Sequence, residues 1–318
     1  MTIHISATRI TATAPGGIGN IGPGLDVLGC AIRGPRDAVT IGWQDAPGIT
    51  VRRTGHPDLP TDPLRHTAAL AAAAVLRLVG RDHALPNAGL VIDADKALPL
   101  FGGQGGSSAS AVAGAVAANA LLGGPLDSAA LLACCLEAEA VVSGRHLDNI
   151  APSLLGGIVL VRSIDPIDVV SLPVPDGLAF VIAYPSQRLA TSASRGVLPA
   201  TVTRAVAQHQ MAQVAAMVSA CYIGDLALFG RSIDDRIAEP ARSALLPGFI
   251  DAKRAALDAG ALGVSISGAG PSAFAVVPDE RVGSDVGQAM VRAYAAAGVE
   301  CSARLTTVDT EGALSRVA

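Results

Sequence analysis

The stretch Pro99–Gly124, PLFGGQGGSSASAVAGAVAANALLGG, constrains this chain more than any other. Gly102, Gly103, Gly105 and Gly106 lead into Ser107 and Ser108, and an Ala/Val/Leu run follows until Gly123, Gly124 and Pro125 stop it. The order predicts a glycine loop, a helix N-terminus, a helix and a C-terminal stop. The preceding segment GLVIDAD predicts a strand. Glycines tolerate positive φ and let backbone N–H groups approach a ligand closely. The first helical turn adds unpaired N–H donors and the positive end of a dipole. Strand, glycine loop and small-residue helix together make a phosphate cradle that needs few cations. A glycine-rich loop without a ligand is the alternative on this stretch alone.

With 318 residues the chain is long enough for two domains or one large one. Half of it is apolar but only 3% is aromatic, so the core must be built from small aliphatic side chains. A net charge of −4 with no basic tract argues against nucleic acid as a partner. Five scattered cysteines, none in a C-x-x-C pattern, indicate neither zinc nor a disulfide framework. Thr2–Pro15 is too polar for a signal peptide, and the apolar runs are too short for a membrane span. The expectation is a cytoplasmic protein with no membrane partner. Lysine occurs only at Lys96 and Lys253, so G-x-x-x-x-G-K-[ST] is absent, as is the protein-kinase motif set. Lys96 precedes the glycine loop and could reach a phosphate, but at a strand end it reads rather as a solvated lysine.

Pattern and punctuation predict strands over 3–14, 37–41, 50–53, 90–94, 156–162, 168–172, 178–184 and 301–307. They predict helices over 66–79, 128–142, 200–217, 247–258 and 282–297, with Asp127 as an N-cap. Residues 263–277 read as a glycine-centred pair of strands, and 15–29 as a long glycine loop. Strands and helices mix in both halves, which gives an α+β class. A soft boundary near 163–168 divides the chain into 1–165 and 166–318.

Three glycine-rich segments recur in this order: PGGIGNIGPGLDVLG, PLFGGQGGSSAS and SISGAGPSAFAV. Together they resemble the three motifs of the GHMP kinase superfamily, over nearly the whole chain. Within it, NIGPGLDVLG (20–29), HLDNIAPSLLGG (146–157), TSASRGVLP (191–199) and DRIAEPAR (235–242) are similar to the motifs of the homoserine kinases. Two departures stand out. Gln104 and Gly105 occupy positions where the family carries Gly and Leu, in a loop one residue longer. His66-Thr67 stands where an Asn often begins the helix near the adenine.

The resemblance implies a ribosomal protein S5 domain 2-like N-terminal half and a ferredoxin-like C-terminal half, with ATP between them and the adenine near the His66 helix. It implies ATP-dependent, Mg²⁺-assisted phosphorylation of the L-homoserine hydroxyl in threonine synthesis, and a homodimer. Gly103, Gln104, Gly105, Gly106, Ser107 and Ser108 would bind the phosphates. Ser108 and Glu139 would hold the metal; Glu137, about 200° round the helix, is solvent-facing, and Ser108 reads equally as a helix N-cap. Arg195 and Arg242, with Thr191, would take the substrate carboxylate, because a guanidinium fork fixes orientation. Asp26, with Asn20 beside it, would take the ammonium. His146 would contact the substrate or fasten its turn. Asn149 would orient the hydroxyl, leaving Asp148 as a substrate-side carboxylate or weak base. Surface ion pairing for the arginines and turn capping for Asp26 are the plainer alternatives. The other readings of the whole are a superfamily kinase for another small hydroxylated substrate, and a non-catalytic nucleotide- or amino-acid-binding relative.

Overall fold

The structure, a computed structural model, describes residues 8–80 and 89–318. Eleven strands form two sheets among these residues. The first contains β1 (Arg9–Gly19), β2 (Leu28–Gln44), β3 (Gly48–Arg53), β4 (Gly89–Asp95), β5 (Ile158–Ile164), β6 (Ile167–Leu172) and β11 (Leu314–Val317). Its main path runs β11-β1-β2-β4-β3, and β5, paired with β6, joins the near end of β2. Only β3 and β4 run parallel. The strand expected over 3–14 begins outside the described residues and continues through Gly19. Much of the expected glycine loop 15–29 is therefore β-structure, and only 20–27 turns.

One face of this sheet is covered by α1 (Thr67–Leu78), α2 (Gly106–Leu121), α3 (Ser128–Val142) and the short α4 (Ile150–Leu155). Helix α2 is apolar all round, as a helix at the centre of a layer must be. Small side chains let it sit close to α1: a Cβ on Gly114 would lie 2.7 Å from the Ala68 Cα. Asp127 caps α3 as its sequence predicts, accepting from the Ala130 N–H at 2.9 Å.

The second sheet contains β7 (Ala179–Pro185), β8 (Gly263–Ile266), β9 (Ala273–Val277) and β10 (Cys301–Thr307) in the order β10-β7-β9-β8, all antiparallel. Helices α5 (Thr191–Gly196), α6 (Arg204–Ile223), α7 (Leu226–Arg231), α8 (Ala238–Ser243) and α9 (Phe249–Asp258) separate β7 from β8, and α10 (Glu280–Ala296) separates β9 from β10. That order with those crossovers is the split β-α-β ferredoxin-like arrangement. Strand β7 alternates faces: Phe180 and Ile182 pack towards the first sheet with Ile18 and Leu28, while Val181 and Ala183 pack under α9 and α10. Residue 165 lies in the turn of the β5–β6 hairpin. Strand β6 stays with the first sheet, the crossover runs over 173–178, and β11 returns to pair with β1. No described helix is long and apolar enough to cross a membrane.

Candidate active site

A cavity of about 540 Å³ opens where the two sheets meet, and the glycine loop 102–106 forms its floor. Gly105, in the left-handed region at φ 66°, occupies the N-cap of α2 and supplies no side chain. The first-turn N–H groups of α2 therefore face the cavity without a capping acceptor, a ready anion site. Ser108, buried on the cavity wall, is not the N-cap. Gly103, Gly105, Gly106, Ser107 and Ser108 all line the cavity. Gln104 does not. Its backbone carbonyl accepts from the Gly17 N–H at 3.1 Å, and its side-chain Oε1 accepts from the Tyr184 hydroxyl at 3.1 Å on the other side of the loop. The reason is alternation: between two left-handed glycines the loop turns this one side chain away.

Lys96 is the residue the sequence misreads. It is buried, paired with Asp37, and donates to the Gly106 carbonyl and to Ser110 Oγ at 3.0 Å. Asp37 also accepts from the Ala97 and Leu98 N–H groups at 3.1 and 3.0 Å. This network ties the strand end to the first residue of α2. Its acid lies 59 positions from its base, so no local pattern announces it.

Glu139 reaches the cavity from α3, buried, and accepts from Ser107 Oγ at 3.2 Å and from Ser143 Oγ. Burial raises its pKa, against the pull of those hydroxyls and of Lys96. Glu137 points outward to an ion pair with Arg77, as its helical position requires.

At the other end of the cavity, the turn 146–149 and the first glycine segment meet. Asp148 is buried, and its pKa is pushed up to about 7 by burial and by the Asp26 charge. Its Oδ2 accepts from Asn149 Nδ2 at 3.1 Å, while Asp148 Oδ1 and Asn149 Oδ1 have no partner among the described residues. Asn149 touches the glycine loop: a Cβ on Gly105 would come within 2.7 Å of Asn149 Oδ1. The turn that carries Asn149 and the glycine loop thus approach each other closely on the cavity wall.

Asp26 and Arg195 pair with each other, at 2.7 and 3.3 Å, with His146 Nδ1 3.4 Å from the same carboxylate. Burial works to raise the Asp26 pKa, but Arg195, His146 and Arg242 bring it below its ordinary value. Arg195, His146 and Thr191 line the cavity and Asp26 stands behind them. Asn20 also lines it, yet its amide is committed elsewhere: Nδ2 donates to the Gly268 carbonyl at 3.0 Å and Oδ1 accepts from the Asp26 N–H at 3.0 Å. Asn20, Ile21 and Asp26 all have positive φ, so this turn is strained and held by such bonds. Arg242 donates through Nη1 to the Gly268 carbonyl at 2.9 Å and through Nε to the Ser194 carbonyl at 3.3 Å. Asp235, accepting from the N–H groups of Ile237, Ala238 and Glu239, caps the helix that carries Arg242. The spacing of the segment DRIAEPAR is thereby explained.

Comparison with known proteins fits this geometry. The GHMP kinases N terminal domain matches residues 67–157 and the GHMP kinases C terminal domain matches residues 217–296. A homoserine kinase of Chlorobium phaeobacteroides is 39% identical over 293 residues, 90% of this chain and 92% of its own. The chain belongs to the homoserine kinase family. Homoserine kinase of Arabidopsis thaliana is 40% identical over 312 residues, 94% of this chain and 82% of that one. The crystal structure of homoserine kinase from Cytophaga hutchinsonii superposes with a TM-score of 0.92 at 38% identity, covering 99% of this chain and all of that one. The α+β class and the two GHMP kinase domains hold. As a member of the homoserine kinase family the chain is a kinase, and ATP is its co-substrate. The cavity lies between the two sheets, and the buried His66 at the start of α1 forms part of its wall.

Proposed function

We infer that the chain transfers the γ-phosphoryl group of ATP to the side-chain hydroxyl of L-homoserine, giving O-phospho-L-homoserine and ADP. The contact between Gly105 and Asn149 carries this reading, because it sets a phosphate cradle against an unpartnered acceptor. Phosphoryl transfer asks the protein for positioning and charge neutralisation rather than covalent help. The N–H groups of 106–108 hold the phosphates. Asn149 Oδ1 accepts the hydrogen bond of the substrate hydroxyl and aims its oxygen at the γ-phosphorus. The new O–P bond forms as the bond to the bridging oxygen breaks, ADP leaves, and the transferred phosphate takes the hydroxyl proton.

The substrate zwitterion has a partner for each charge. Asp148 Oδ1, buried and unpartnered, takes the ammonium in place of Asp26, whose carboxylate is paired with Arg195 and does not line the cavity. Arg195, braced by Asp26, takes the carboxylate together with Arg242 and Thr191. Ser108 and Glu139 suit Mg²⁺, which accepts one or two protein oxygens and fills its remaining positions with phosphate and water. Among the described residues no group of three or more His, Cys, Asp or Glu side chains is placed to hold a metal ion by itself. When bound, Mg²⁺ neutralises phosphate charge, and its presence would also keep the Glu139 carboxylate ionised.

The reading includes threonine synthesis as the use of the product, a reducing cytoplasmic compartment for five free cysteines, and a homodimer measurable by sedimentation. Incubation with γ-labelled ATP, Mg²⁺ and L-homoserine tests the reaction. The label is expected in O-phospho-L-homoserine; label released only as inorganic phosphate would contradict it.

A further inference from the structure

A second cavity, of about 390 Å³, lies at the seam between the sheets. The glycine loop divides it from the first: Pro99, Leu100 and Gly102 line both, Gly103 and Gly105 only the first, and Gln104 only the second. Its volume falls within the range of small-molecule sites. Gln104 is only 2% exposed, and its Nε2 donates to nothing among the described residues. The amide is held by a relay in which Arg304 Nε donates to the Tyr184 hydroxyl and that hydroxyl donates to Gln104 Oε1. A buried donor left without an acceptor costs stability, so its retention here calls for a partner from outside the chain.

The cavity holds one unsatisfied group of the opposite kind. Gln187 donates through Nε2 to the Pro247 carbonyl at 2.9 Å, while its buried Oε1 accepts nothing among the described residues. Arg304 and Arg188 add positive charge, Arg188 being paired with Asp58 at 3.2 Å, and no acidic side chain lines the space. Pro35, Pro99, Leu100 and Pro185 supply apolar wall. An orphaned donor beside a guanidinium matches a carboxylate; an orphaned acceptor matches an ammonium; the prolines and leucine match an aliphatic side chain. We propose that this cavity is a second ligand site, for an α-amino acid with an aliphatic side chain, lying behind the phosphate loop and in contact with it through Gln104. The site is separate from the one that takes the phosphoryl acceptor, and the proposal stands without the identity of that acceptor.

Titration of the whole chain with L-leucine tests it, by calorimetry, with L-homoserine, Mg²⁺ and a non-hydrolysable ATP analogue present in excess to fill the first cavity. Expected is saturable binding of one L-leucine per chain. Gln187→Leu and Arg304→Gln, each checked for an unchanged melting profile, are expected to weaken it by roughly tenfold or more, as loss of a buried hydrogen-bond partner does. 4-Methylpentanoate, which lacks the ammonium, is expected to bind wild type more weakly than L-leucine and to be little affected by Gln187→Leu. No saturable binding, equal binding by both variants and wild type, or displacement of L-leucine by L-homoserine would overturn the site. Equal affinity for the two acids would overturn its amino-acid character.

Discussion

In the proposed reaction Asn149 and Asp148, neighbours in the chain with one unpartnered oxygen each, have different tasks. Asn149 faces the phosphate loop, so its loss should misplace the reacting hydroxyl and leave nucleotide binding alone. Asn149→Ala is expected to lower kcat by about 10²-fold, the scale of a misplaced reacting group, with the KM for ATP near its original value. Steady-state kinetics in both substrates checks this, and an unchanged kcat would remove Asn149 from the site. Asp148 titrates. Burial lifts its pKa to about 7, so the carboxyl is mostly protonated below that pH and mostly ionised above it. Only the anion can receive the substrate ammonium. The kcat/KM for L-homoserine should therefore fall about tenfold per pH unit as pH drops below 7, since that ratio reports the free enzyme. In Asp148→Asn this acid limb should vanish, and KM for L-homoserine should rise more than kcat falls.

At the scale of elements, the glycine loop depends on a buried strut in the cavity wall. Lys96 holds Asp37, Ser110 and the first carbonyl of α2 in one buried network. Lys96→Met would leave Asp37 as an uncompensated buried charge, a loss on the order of 3–5 kcal/mol. Urea unfolding should show that loss, and Asp37→Leu added to Lys96→Met should recover part of it. A loss under 1 kcal/mol would contradict the strut. The elements themselves were largely legible. Helices α1, α3 and α10 fall at their expected segments, and Asp127 caps where a cap belongs. Strands β7 to β10 fall at or close to their expected segments. Side-chain direction inside the glycine loop was not legible, because Gln104 is turned away by the φ angles of its neighbours and not by its own chemistry. Nor was the pairing of Asp26 with Arg195, which lie 169 positions apart and meet only when the sheets do. Strand β11 has four exposed residues and no pattern; the edge of β1 organises it.

The whole molecule places its site on a seam. The Gly268 carbonyl accepts from Asn20 in the first glycine segment and from Arg242 in the second half of the chain, while the Gly268 N–H donates to the Gly19 carbonyl at 3.1 Å. Ser267 Oγ donates to the Gly103 carbonyl at 2.8 Å. All three glycine segments recognised in the sequence thus meet at one point. Their wide spacing in the chain is the spacing of two sheets that close over one cavity. Three weak motifs became one strong signal for that reason, while the residues that brace them stayed hidden.

The central claim is that this seam builds a kinase site for a zwitterion with a side-chain hydroxyl one methylene longer than that of serine. The most direct measurement is kcat/KM from ADP release with ATP and Mg²⁺, across L-homoserine, L-threonine, L-serine, mevalonate and galactose. L-Homoserine is expected to exceed L-serine by about 10–200-fold, the worth of one methylene in a fitted pocket, and mevalonate and galactose, which lack the ammonium, by more. Equal or greater activity on an acceptor without an ammonium or a carboxylate would contradict the assignment of Asp148, Arg195 and Arg242 to the substrate's charges.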